Sequence, residues 1–273
     1  MEIRGRTIIV TGGGSGIGRA IAQECARAGA RVVVCGRRLE QLAETATLVK
    51  NAGGVCEAIR TDITDPLQTE DLIKKCFEFF GTVDILINNA GSFAGMAPLW
   101  EADPTTWWRD IEINLRGTML CCRAILPHFI ERKNGMIINL SGGGATWPNL
   151  GGSSYGSSKA AVLRLTDTLA AELRVIESPV VVSALDPGFN KTAMTKDLAG
   201  KKDSHKWQPH VHRLLTEARD DQPQVCAATV LALVNEAGPE INGRLFNAGE
   251  NIAEVVAVLK TAGHEKDRLL RLG

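Results

Sequence analysis

Short, nearly continuous apolar runs alternate along this chain with longer stretches of helical spacing. The runs at residues 7–10, 31–35, 55–59, 83–87, 136–140 and 180–185 are rich in Val, Ile and Leu. Such runs predict parallel strands covered on both faces. Between them, apolar residues recur at intervals of three and four. That spacing predicts helices over 17–26 (stopped by Gly29), 39–51, 66–80, 104–128 and from Tyr155 through Leu173. Strand and helix in alternation predict an α/β fold, a single doubly wound parallel sheet with helices on both faces. A count from length alone would admit two domains, but α/β units often reach this size as one, so residues 1–273 are read as a single domain.

Composition narrows the function. The chain is 44% hydrophobic and 23% charged, with 31 basic and 31 acidic residues. A balanced charge gives no reason to expect a nucleic acid or a membrane surface as partner. The start, Met1-Glu2-Ile3-Arg4-Gly5-Arg6, runs straight into a short apolar stretch and lacks the long hydrophobic core of a signal peptide. No apolar run reaches the ~18–20 residues of a membrane span. The seven cysteines are scattered and form no CxxC pair, as expected of small core residues in a reducing compartment. A cytoplasmic protein is expected.

The chemistry gathers where strands end. The first strand runs into Thr11-Gly12-Gly13-Gly14-Ser15-Gly16-Ile17-Gly18, and a helix follows. Glycines permit a tight turn and let backbone approach a pyrophosphate, which the free N–H groups of the helix start then hold. The second strand ends at Gly36-Arg37-Arg38. An acidic residue at this strand end would grip the ribose of NAD, whereas an arginine accommodates the 2′-phosphate of NADP. NADP is therefore expected ahead of NAD, unless Arg37 and Arg38 are simply surface charges at a helix start. Asp62-Ile63 follows the third strand, and Asn88-Asn89-Ala90-Gly91 the fourth. Asn114 falls mid-helix, where its propensity is poor, which suggests a local distortion or a bound water. Tyr155, the only tyrosine, stands four residues before Lys159. On a helix that puts both on one face. The ammonium should then pull the phenol below its usual ~10 and make it a usable proton donor or acceptor.

Together these motifs, with Pro187-Gly188 and Thr192 after the sixth strand and Ile241-Asn242-Gly243-Arg244-Leu245-Phe246 near the end, resemble a short-chain dehydrogenase/reductase of the NADP-preferring kind. The resemblance runs from about Thr7 to Gly249 in family order. It implies a Rossmann-type fold and reversible hydride transfer between a nicotinamide and a carbonyl or secondary alcohol of a small to medium substrate. By the same resemblance, Tyr155 exchanges the proton, and Lys159 lowers its pKa and binds the nicotinamide ribose. Asn114 holds a water on a proton path. Gly12, Gly14, Ser15, Gly16, Ile17 and Gly18 cradle the phosphates. Asp62 and Ile63 flank the adenine, Asn89, Ala90 and Gly91 the adenosine-side ribose, and Pro187, Gly188 and Thr192 the nicotinamide.

One position departs from the family. Its substrate-orienting serine stands thirteen residues before the tyrosine, which here is Gly142, with Ser141 one residue earlier. Either the run Gly142-Gly143-Gly144 lets Ser141 substitute, or no serine polarises the carbonyl. The departure leaves a second reading, a cofactor-binding regulator or scaffold with little turnover. Residues 193–222 match the family's substrate lid, or form a solvated loop. Residues 251–273 read as a helical tail, and the family commonly forms homodimers or homotetramers. The three histidines of the lid region lack helical metal spacing, and no metal is expected.

Overall fold

The structure, a computed structural model, describes residues 2–216, 223–236 and 238–262. The last part of the expected lid, 217–222, and of the tail, 263–273, lies outside these residues.

Seven strands form one parallel sheet: β1 (Thr7–Thr11), β2 (Arg31–Gly36), β3 (Val55–Arg60), β4 (Ile85–Asn88), β5 (Met136–Leu140), β6 (Val181–Asp186) and β7 (Leu245–Asn247). Their order is β3-β2-β1-β4-β5-β6-β7. The sheet grows outward in both directions from the β1–β4 pair, so a crevice opens at the carboxyl ends of those strands, where doubly wound sheets hold ligands. Val10 pairs with Val34 on one side and Ile87 on the other, so the carboxyl ends of β1, β2 and β4 lie side by side. Alternate residues face opposite layers. Ile8 and Val10 join a core with Ile21, Val230 and Val256. Ile9 joins the other, with Leu72, Ile125 and Phe129.

The helices are α1 (Gly16–Arg27), α2 (Leu39–Asn51), α3 (Pro66–Phe80), α4 (Pro104–Ile111), α5 (Gly117–Glu131), α6 (Ser153–Val175), α7 (Ala193–Ala199), α8 (Ser204–Trp207), α9 (Pro209–Thr216), α10 (Pro223–Asn235) and α11 (Ile252–Ala262). The long helix expected over 104–128 is α4 and α5 joined by a π-turn, Glu112–Arg116, with Asn114 fully buried in it. The strand expected at 83–87 begins two residues later. Asp84 instead turns its carboxylate to Thr7 N at 2.9 Å and to Arg6 and Arg132 at 3.4 Å each. All seven cysteines are unpaired and buried, and no helix among the described residues is long and apolar enough to cross a membrane.

Candidate active site

A cleft of about 690 Å³ lies along the carboxyl ends of β1, β2, β4, β5 and β6. Its floor at the β1 end is backbone. A Cβ at Gly18 would lie 2.5 Å from Gly12 O, and one at Gly12 would lie 2.9 Å from Ala90 Cα. Both distances are too short for any side chain. Asn89 and Ala90 donate their N–H groups to Thr11 Oγ1 at 3.0 Å each, which locks the β4 loop to the glycine turn. Ser15 precedes α1 without capping it through its side chain. The first N–H groups of α1 therefore lack the side-chain acceptor an N-cap supplies and carry the positive end of the helix dipole, a fit for an anionic group.

The same wall holds exposed Arg37 and Arg38, at the start of α2. Asp62, after neighbouring β3, stands beside them. Burial pushes its carboxyl up, but hydrogen bonds from Thr64 and the charges of Arg109 and Arg37 bring it below the usual carboxylate range. The residues present fit a dinucleotide: a side-chain-free turn and an uncapped helix start for the phosphates, guanidinium groups for a further phosphate, and an acidic residue beside them.

At the other end, α6 brings Tyr155 and Lys159 onto the cleft wall. Lys159 Nζ donates to Leu140 O at 2.8 Å and lies 5.8 Å from the centre of the Tyr155 ring. Burial pulls Lys159 down to about 8, with Asp186 partly opposing. The tyrosine runs counter to the sequence expectation. Burial pushes its phenol above the ordinary value, and the negative charges of Asp186 and Asp110 add to this. The physical reason is desolvation: the ring is stacked on Phe93, with centroids 4.7 Å apart and planes 15° from parallel, and a phenolate there has little water to stabilise it.

Gly142 lies against this tyrosine. A Cβ on it would fall on Tyr155 Oη, well inside van der Waals contact, and 3.2 Å from Cζ. The family's serine cannot occupy this position while Tyr155 keeps its place. Neighbouring Ser141 is buried in the cleft wall, and its Oγ has no hydrogen-bond partner.

Of the residues expected from sequence, Gly12, Gly14, Ser15, Gly16, Ile17, Gly18, Arg37, Arg38, Asp62, Ile63, Asn89, Ala90, Gly91, Ser141, Tyr155, Lys159, Pro187 and Thr192 line the cleft; Asn114 and Gly188 do not. Asn114 lies beneath it. Its Oδ1 accepts from Ser92 N at 2.7 Å, and its Nδ2 donates to Ser92 O and to Ser158 Oγ at 2.9 Å each. Gly188 donates its N–H to Asp186 Oδ1 at 3.0 Å, shaping the turn after β6. Sequence reasoning missed Ser92, Ala94, Met194 and Asp197, which also line the cleft. No spacing rule marks them, because they come from an irregular loop and a short helix.

The family model for short chain dehydrogenases matches residues 6–203. A short chain dehydrogenase of Pseudocercospora fijiensis is 34% identical over 277 aligned residues, covering 98% of this chain and 89% of that protein. The short chain dehydrogenase mpl6 of Monascus purpureus is 34% identical over 260, covering 93% and 84%. Among solved structures, an actinorhodin polyketide ketoreductase variant with NADPH superposes with a TM-score of 0.80 at 27% identity, covering 89% of this chain and 95% of that one. A short-chain dehydrogenase/reductase from Mycobacterium ulcerans shares the fold with a TM-score of 0.80 at 24% identity, over 90% and 89%. With its glycine turn, its Tyr155–Lys159 pair and these matches across nearly its whole length, the chain belongs to the short-chain dehydrogenase/reductase family of NAD(P)-dependent oxidoreductases.

Proposed function

We propose that the protein reduces a ketone or aldehyde on a small to medium, largely apolar substrate, using NADPH. The observation that carries this reading is the placing of Tyr155 and Lys159 at one end of a single cleft and of Arg37, Arg38 and the start of α1 at the other. Bound there, NADPH would supply a hydride to the carbonyl carbon. The chain's own part is the proton and the orientation. Tyr155, held protonated by its surroundings, gives its proton to the carbonyl oxygen as that oxygen gains charge. Lys159, an ammonium below about pH 8, holds the ribose beside Tyr155. Asn114 fixes the β4 loop against α6; a water on a proton path beside it is what the family resemblance implies.

Ser141 is assigned the polarising hydroxyl, which its buried Oγ would supply by turning toward the cleft it lines. Its unpartnered Oγ is the buried polar group one peptide from the Gly142–Tyr155 contact, and such a group is stabilised by any acceptor that reaches it. The alternative, a regulator or scaffold with little turnover, is separated from this reading by the turnover assay below.

An apolar cluster underlies the substrate end, whose wall also carries Ser92, Thr192 and Asp197. Phe93, Leu198 and Val211 are buried there, with Met96, Phe189 and Leu215 packed around them and around Tyr155. Helices α7 to α9 form the lid over it. Lys201 on this lid donates to Ala94 O across the cleft mouth. The related ketoreductase with NADPH points the same way for cofactor and carbonyl class. The family resemblance supports a homodimer or homotetramer and a single domain.

The test is NADPH consumption against a panel of cyclic ketones, diketones and aldehydes, with NADH in parallel. The reading predicts turnover with at least one apolar ketone and preference for NADPH. Tight NADPH binding with no turnover on any carbonyl, or on the matching alcohols with NADP⁺, would overturn it in favour of a regulator.

A further inference from the structure

We propose that Asp110 is a positioning residue for the reaction, holding the Phe93–Tyr155 ring pair in its place on the cleft wall. The proposal rests on the reading of Tyr155 as the proton donor. Asp110 sits near the end of α4 and is fully buried. A fully buried carboxyl is costly unless its acceptor sites are filled, and here four donors converge on it. Oδ1 accepts from Ser92 Oγ at 2.7 Å and Ala94 N at 2.9 Å. Oδ2 accepts from Gly95 N at 2.9 Å and Ser154 Oγ at 2.8 Å.

The four donors belong to two places. Ser92, Ala94 and Gly95 bracket Phe93; Ser154 is the residue before Tyr155. One carboxylate therefore grips the Ser92 hydroxyl before one ring, the backbone N–H groups of Ala94 and Gly95 after it, and the hydroxyl of the residue adjoining the other. The arrangement is close enough to crowd a side chain at Gly95, where a Cβ would lie 3.0 Å from Ser154 Oγ and 3.1 Å from Asp110 Oδ2. A second tie runs parallel to it, from Trp107 Nε1 to Ser153 Oγ at 2.9 Å. The remaining side of Ser92 is held by Asn114. Phe93 and Tyr155 thus inherit their stacking from α4.

Asp110 also acts on Tyr155 by charge. The charged groups that face the phenol are Lys159 on its own helix, Asp186 at the end of β6, Asp110 on α4 and, across the cleft, Asp197 on α7. Of these, Asp110 both shapes the tyrosine's position and favours its protonated form.

The test compares Asp110→Asn, Ser154→Ala and Tyr155→Phe with the wild type. In Asp110→Asn, whichever way the amide turns, its NH₂ meets a backbone N–H, of Ala94 or of Gly95, that cannot reverse its role. Misplacing a reacting group by a fraction of an ångström to an ångström costs about tenfold to a hundredfold, so kcat should fall by that factor, while the NADPH dissociation constant changes less than about twofold. Tyr155 is the only tyrosine, so tyrosinate absorbance during alkaline titration of the cofactor-free protein reports it alone. That titration should move to lower pH in Asp110→Asn, where a negative charge is removed, and stay in place in Ser154→Ala, which loses one donor and should show a smaller loss of kcat. Wild-type kcat and an unmoved titration in both variants would overturn the proposal. So would a loss of kcat, NADPH affinity and thermal stability together in Asp110→Asn with Ser154→Ala unchanged, since that is the signature of a role confined to folding. Full turnover in Tyr155→Phe would instead sink the proton-donor reading, and the positioning role with it.

Discussion

Where α1 begins, the cleft is walled by backbone; where Tyr155 sits, it is walled by side chains. At the first end Gly12, Gly18 and Ala90 approach so closely that a single added carbon would meet an atom at 2.5–2.9 Å. Residue identity there is forced by space, and the groups proposed to hold the phosphates are N–H dipoles that belong to the fold. At the second end Phe93 stacks on Tyr155, Ser141 carries an unpartnered hydroxyl, and Lys201, just after α7, donates to Ala94 O. Each of these depends on which side chain is present. On the proposed reading, the first end can serve any reaction that uses the cofactor, and the second sets the substrate.

Substitutions at the two ends should separate cofactor binding from turnover. The largest effect is expected from Tyr155→Phe, with turnover lowered about 10²- to 10⁴-fold as the proton donor is lost and NADPH binding retained in a fluorescence titration. Ser141→Ala should lower kcat by about 10²- to 10³-fold, the loss of one polarising hydrogen bond. A loss below tenfold would move that role to the main-chain N–H groups of the 142–144 turn. Gly142→Ser, which restores the family's residue, should harm rather than help. Its Cβ must displace the Tyr155 hydroxyl, at a cost of about a hundredfold in kcat, while NADPH affinity holds.

At the opposite end, Arg37→Asp should weaken NADPH by about tenfold or more, the worth of a charge-assisted contact, and leave NADH binding and kcat nearly as they were. Equal losses for both cofactors would mean that Arg37 does not meet the 2′-phosphate. The smallest effect is in the pH profile. Burial lowers Lys159 to about 8, so the ammonium is complete well below that pH and is lost above it. Reductase kcat/KM should be flat in the neutral range and halve near pH 8; a profile flat through pH 9 would separate Lys159 from the reaction.

The backbone end was legible in the sequence because its rules are local. Thr11 to Gly18 must turn tightly and start a helix, and only a glycine-rich segment does so. Tyr155 and Lys159 were legible because helix geometry fixes residues four apart. The tyrosine's acidity was not, since it follows from burial beneath Phe93 and from Asp186 and Asp110, which no spacing brings near. Gly142 was visible as a departure, but its reason, the phenol in the space of its side chain, exists only in three dimensions. Asn114 announced itself as a misfit within a helix, and the π-turn is where that misfit resides. Asp110 gave one unused hint. Four residues before Asn114, it put a carboxylate on the turn of the helix that faces the site. Its four donors come from residues 92–95 and 154, and sequence separation hid them.

The most direct test of the central claim follows hydride rather than cofactor loss. The protein would be incubated with NADPH deuterated at the transferable position of nicotinamide C4 and with the best apolar ketone from the panel, and the alcohol analysed by mass spectrometry. One deuterium on the carbinol carbon, absent from the Tyr155→Phe reaction over the same time, is the predicted result. Saturable NADPH binding with no labelled alcohol from any carbonyl offered would contradict it.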